Sequence, residues 1–224
     1  MKKFGMTFML ALVGVIFGAS NAMADDFRCT GTVGAIKVDN VIVPLGASCT
    51  LNGTRGNGNV FVERSASLDA NGARVGGSIQ SEGYNSVVVQ GGTRVTGSVQ
   101  LKRGGTATVT NSTINGSVQF EENSGASTLS FSTIGASLQA YKHTGRGEFR
   151  GNSFVGDNIQ AYENTGGIDI SNNHTDGNLQ VYKSSSGFSI TGNTIAENFQ
   201  CKDNQSPLVE SGNVVGGERE CSSF

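Results

Sequence analysis

From about residue 58 to residue 220 the chain repeats one phrase of apolar and polar positions. It is plainest in "GNLQVYKSSSGFSITGNTIAENFQ", residues 177–200. Aligned on its glutamine, the phrase recurs at Gln80, Gln100, Gln119, Gln139, Gln160, Gln180 and Gln200, and extends outward to Phe61 and Glu220. The residue before this column is always apolar in Val60, Ile79, Val99, Val118, Leu138, Ile159, Leu179 and Phe199. Two before it runs a polar series, Asn59, Ser78, Ser98, Ser117, Ser137, Asn158, Asn178 and Asn198. Such alternation is that of a strand with one buried face.

Two further apolar columns recur with the same period. One lies five residues before the glutamine: Val75, Val95, Ile114, Ile134, Val155, Ile195 and Val215. The other, about nine residues after it, contributes Val109, Leu129, Phe149, Ile168, Ile170 and Ile190. Successive glutamine-column positions are 19 to 21 residues apart. One repeat cannot bury these side chains alone, but stacked coils can, each pairing with the coils above and below. The pattern therefore predicts an all-β fold, a single-stranded parallel β-helix of about nine coils. At a strand spacing of roughly 4.8 Å the rod would be on the order of 40 Å long.

The cysteines bear on this separately. Cys29 and Cys49 are 20 residues apart, as are Cys201 and Cys221. One period is one coil, so each pair should meet in register on adjacent coils, at a spacing a disulfide can bridge. Cys29–Cys49 and Cys201–Cys221 are the expected staples, one at each end. A metal site or a reactive thiol finds no clustered histidine to support it.

Composition narrows the class. The chain has 33 Gly, 2 Pro and no Trp; with its many Ser, Thr, Asn and Val residues it disfavours long helices. Residues 1–24, "MKKFGMTFMLALVGVIFGASNAMA", place two lysines before a short apolar run that closes on Ala22 and Ala24. That is the form of a secretory signal peptide, so the chain is expected to be exported, periplasmic or extracellular, and bacterial. Without Lys2 and Lys3 it carries 14 basic against 18 acidic residues. A weakly acidic chain with no basic patch in its sequence argues against nucleic acid as partner. No later segment is apolar enough to span a bilayer. The expected organisation is a signal peptide at 1–24, a cap at 25–40, the β-helix at 41–221 and a tail at 222–224.

Coils of about twenty residues, internal ladders, and asparagines at the turns (Asn152, Asn172, Asn193, Asn213) resemble the secreted right-handed parallel β-helix proteins of the pectin-lyase-like superfamily. The resemblance covers about residues 41–221 and is architectural. In that superfamily lyases set acidic calcium ligands beside a basic residue, and hydrolases use paired carboxylates. Here Asp157, Asp169 and Asp176 fall in different columns, Glu121–Glu122 is an isolated doublet, and His143 and His174 have no evident Ser or Cys partner. No catalytic residue, metal site or cofactor is assigned. A polysaccharide-active enzyme and a self-assembling scaffold are the alternative readings.

The outward face of the glutamine strand is the candidate binding surface. Side chains two apart share a face, which puts Gln139, Gln160 and Gln180 beside Tyr141, Tyr162 and Tyr182, flanked by Lys142, Glu163 and Lys183. Such a strip suits a polysaccharide or a cell-surface protein, or lateral contact with a second copy. It is equally what stacked coils need to satisfy one another. The sequence thus leads to an exported binding or structural protein, not to a named reaction.

Overall fold

The computed structural model describes residues 26–154, 156–205 and 208–221. The expected signal peptide, the tail and Val155 lie outside the described residues. The protein is a parallel β-solenoid without a helix among the described residues. Its strands sort into three parallel sheets of 11, 10 and 10 strands, which the chain visits in strict rotation. We call them the glutamine sheet, the broad sheet and the short sheet. The stretch 26–40, expected as a cap, carries the first strand of each: Phe27–Arg28, Thr32–Val33 and Lys37–Val38.

The register follows the repeat. Along the glutamine sheet Ile79, Val99, Val118, Leu138, Ile159, Leu179 and Phe199 pair in sequence and point inward. Along the broad sheet Val89, Val109, Leu129, Phe149, Ile170 and Ile190 do the same. Nearly every one of these side chains is fully buried. Burying a side chain of this kind contributes about 1.5–3 kcal/mol, so the columns carry most of the driving force for coiling. Phe120 stacks on Phe149 with centroids 5.9 Å apart, and the Phe149 ring lies against Gly147, where an added Cβ would meet it at 3.1 Å.

One expected column member is corrected. The short-sheet register pairs Ile134 with Phe154 and Phe154 with Thr175, so Phe154 rather than Val155 occupies that place. The coil with 21 residues between glutamines takes its extra residue in the turn after Phe154. Among the asparagines, Asn173 rather than Asn172 joins the buried ladder with Asn152, Asn193 and Asn213. Asn172 instead makes the corner, with φ of 54°.

The corner after the glutamine sheet is made by charged residues. Arg103, Glu122, Lys142, Glu163, Lys183 and Asp203 all have φ between 49° and 56°. Left-handed backbone costs a non-glycine residue roughly 1–2 kcal/mol. The stack holds it there through backbone bonds between coils: Lys142 N donates to Tyr162 O and Glu163 N to Tyr182 O, each at 3.0 Å. This corner sets a charged side chain directly beside each tyrosine.

Candidate functional site

The strands Leu138–Tyr141, Ile159–Tyr162 and Leu179–Tyr182 carry the three glutamines and three tyrosines of the candidate strip, and Lys142 and Lys183 stand at the corners that follow. Gln139, Gln160 and Gln180 pair in register, and so do Tyr141, Tyr162 and Tyr182. Tyr141 and Tyr162 are stacked, with centroids 5.7 Å apart; Tyr162 meets Tyr182 edge-on at 6.2 Å. Lys142 Nζ lies 4.9 Å from the centre of the Tyr141 ring, and Lys183 Nζ 5.5 Å from that of Tyr162. The phenol beside each lysine holds its ammonium above the ordinary lysine range. Burial raises the Tyr182 phenol, and Glu220 adds to the effect. Both lysines are therefore cationic at neutral pH.

The glutamines form one continuous chain. Each side-chain amide donates to the next carbonyl from Gln80 through Gln100, Gln119, Gln139, Gln160 and Gln180 to Gln200, at 2.7–2.9 Å. Gln200 then donates to Glu220 at 3.0 Å. All the amide dipoles point the same way, and a carboxylate stands at their positive end. Aligned bonds of this kind polarise one another. From Gln100 to Gln180 each amide spends one N–H and one lone pair on its neighbours and keeps one of each, whereas the Gln200 carbonyl accepts from the Tyr182 hydroxyl as well, at 2.8 Å.

Gln139, Gln160, Gln180 and the three tyrosines line a shallow depression of about 520 Å³, to which neither lysine contributes. Five lining positions lie outside the strip expected from the sequence: Gln119, Phe120, Glu121, Ala140 and Ala161. A second depression of about 660 Å³ runs on toward the first coils, past Gln80, Gln100 and the exposed ring of Phe61. The two share Gln119 and Glu121, so the face is furrowed along the rod axis. Glu121 is held by Lys102 at 2.6 Å and Glu163 by Lys142 at 3.8 Å.

The remaining acidic residues do not converge. Asp157 binds its neighbour Asn158, Asp169 lies beside Glu148 on the broad sheet, and Asp176 binds His174 at 3.0 Å. Among the described residues no three of His, Cys, Asp and Glu group in a way that could hold a metal ion.

His143 corrects one expectation, because it does have a serine partner. Its Nδ1 lies 2.7 Å from the Asn123 carbonyl and its Nε2 2.6 Å from Ser127 Oγ. A carbonyl only accepts, so the proton sits on Nδ1 and Nε2 accepts from the serine. Both residues are fully buried, between the coils and away from the furrow. The pair closes a core hydrogen-bond chain and offers no nucleophile to a substrate.

The two disulfides form as the spacing predicts, with Cα–Cα distances of 5.5 Å for Cys29–Cys49 and 4.5 Å for Cys201–Cys221. They are compatible with an oxidising, extracytoplasmic compartment. No helix among the described residues is long and apolar enough to cross a membrane. Neither the protein-family models, the curated proteins nor the solved structures contain a match to this chain.

Proposed function

We propose that this is an exported, non-enzymatic binding protein whose glutamine–tyrosine furrow takes a glycan chain along the rod axis. The observation that carries the reading is the row of three tyrosine rings beside a ladder of amides, each with one donor and one acceptor to spare, in an open furrow. Sugars offer C–H faces to aromatic rings and hydroxyls to planar amides, and this strip repeats both groups once per coil. The carboxylates bordering it are paired with lysines, which favours binding over acid–base chemistry. From its resemblance to secreted β-helix proteins the reading takes the architecture and not their reactions.

The test uses the exported, oxidised chain and a Tyr141→Ala/Tyr162→Ala/Tyr182→Ala variant with unchanged circular dichroism. Both are titrated with a panel of soluble neutral polysaccharides. At least one should bind, and the variant should lose about tenfold or more in affinity. Absence of binding to every glycan, with the protein folded, refutes the reading. Release of reducing sugars or unsaturated ends would replace it with an enzyme.

A further inference from the structure

The short sheet carries a second feature that no inspection of consecutive residues reveals. Its outward column begins Lys37, Arg55, Arg74, Arg94, each in register with the next. Four cations thus stand on four successive coils, over a length of about 14 Å at strand spacing. All four are exposed. The expectation that the chain has no basic patch is corrected: the patch is made by stacking.

This column is treated differently from the charges elsewhere. Beside the glutamine face cations alternate with anions: Arg103 pairs with Glu82 at 2.9 Å and Glu122 at 3.6 Å, and Lys102 with Glu121. Among the described residues, Lys37, Arg55, Arg74 and Arg94 enter no ion pair. The carboxylate nearest Lys37 in sequence, Asp39, accepts from Asn57 at 3.0 Å, and the one nearest Arg74, Asp69, accepts from Gln90 at 2.9 Å; Glu82, nearest Arg94, is held by Arg103. Like charges directly opposite on paired strands are destabilising. A fold that neutralises its charges on one face leaves four of one sign aligned on another.

We propose that this column is a binding surface for a linear anionic polysaccharide lying along the rod. Guanidinium groups present paired donors in a fork that matches carboxylate and sulfate oxygens. Beyond Arg94 the same column continues in register as Thr113, Thr133 and Ser153, hydroxyls that suit the uncharged groups of a sugar chain. A nucleic acid is disfavoured, because from Lys37 to Ser153 this column has no aromatic ring on which bases could stack, and the described residues offer no helix to a groove. The surface lies on a different sheet from the tyrosines, so the inference does not depend on the glycan reading above.

The experiment titrates the oxidised chain with polygalacturonate, heparin, dextran and a thymidine oligonucleotide, and repeats it with Arg55→Gln/Arg74→Gln/Arg94→Gln. Polygalacturonate, heparin or both should bind, more weakly as salt is added, and dextran should not bind through this column. The arginine variant should lose about tenfold or more in affinity and melt no lower than the parent. Arg74→Gln alone should weaken binding in the same direction, which keeps the test intact should the triple variant fail to fold. The tyrosine variant should bind both polyanions as the parent does. A preference for one of the two polymers distinguishes carboxylate from sulfate recognition. The proposal is overturned if neither anionic glycan binds, if the arginine variant binds them unchanged, or if the oligonucleotide binds as tightly. A concentration-dependent dimer that the arginine variant abolishes would assign the column to a second copy and overturn it as well.

Discussion

Asn173 donates its side-chain amide to Asn193 Oδ1 at 3.0 Å, and the same amide reaches the Phe149 carbonyl at 2.8 Å. The side-chain Oδ1 of Asn173 in turn accepts from the backbone N–H of Asn152 at 3.0 Å. One buried side chain thereby binds two backbone groups of the preceding coil, where the chain leaves the broad sheet for the short one.

Asn173→Ala should therefore be costly, because it leaves the buried Asn152 N–H without its partner and removes the side-chain bond to the Phe149 carbonyl. An orphaned buried group costs about 1–3 kcal/mol, so a loss of about that size is expected in urea denaturation. Asn173→Ser should be milder. The equivalent position in an earlier coil is Ser132, whose hydroxyl accepts from Ser112 N at 3.2 Å. Equal losses for the two variants would refute this account of the ladder.

His143 interrupts a corresponding column, between Asn123 and Asn164, and gives the fold a pH dependence. Burial pushes its pKa below the ordinary 6.5, and the hydrogen bond to the Asn123 carbonyl only partly opposes that. The folded chain keeps the ring neutral while the unfolded chain protonates near 6.5. As pH falls below that point the unfolded state binds a proton that the folded state excludes, so stability declines until the folded pKa is reached. Above it this contribution is fully present. His143→Asn should flatten the decline between pH 6.5 and the range where carboxylates titrate, and guanidinium midpoints at a series of pH values would show it. An unchanged slope in that variant would sink the assignment.

The columns were legible because the side chains that specify coiling recur with the coil. Ile79, Val99 and Val118 announce a buried row, and Cys201 and Cys221 announce their bond, without any knowledge of the corners. The Gln139–Tyr141 strip could be assembled from period and parity alone. What stayed hidden depends on where within a coil the extra residues go. The long coil displaces Phe154 into the place expected of Val155, and the choice between Asn172 and Asn173 turns on one residue's φ. Ser127 and His143 are sixteen residues apart, one in a broad-sheet strand and the other in the turn after the glutamine sheet, so their contact has no signature along the chain. The charge of Arg55, Arg74 and Arg94 has no local signature either, because these residues stand a full coil apart along the chain and only stacking brings them into one column.

Gly145 shows how close the coils approach at the corner leading into the broad sheet. A Cβ added there would lie 2.0 Å from the Gly125 carbonyl oxygen, which is backbone and cannot swing aside. Gly145→Ala should force two coils apart and cost at least about 1–3 kcal/mol. By contrast, Gly187 has nothing within 4 Å of that position. Gly187→Ala should leave the melting temperature within a degree or so of the parent, since surface changes of this kind are worth about 0.5 kcal/mol or less. Similar melting points for the two variants would mean that the corner is looser than its geometry.

The Cys201–Cys221 staple ties down the last coil, which needs it more than the interior coils do. Its strand Leu208–Ser211 buries little, Val209 and Val214 are more than half exposed, and among the described residues no strand pairs beyond it. Closing a loop of one coil removes about 3 kcal/mol of unfolded-state entropy in the chain-entropy account. Cys201→Ala/Cys221→Ala should therefore lower stability by about that much. In hydrogen exchange, amides of residues 208–221 should lose protection first, while the central coils around Gln139 keep theirs. Fraying here also bares the paired edge of the glutamine sheet, so the variant should associate at concentrations where the parent stays dispersed. Uniform loss of protection along the whole rod would show instead that the solenoid unfolds as one unit and that the staple acts on all coils alike.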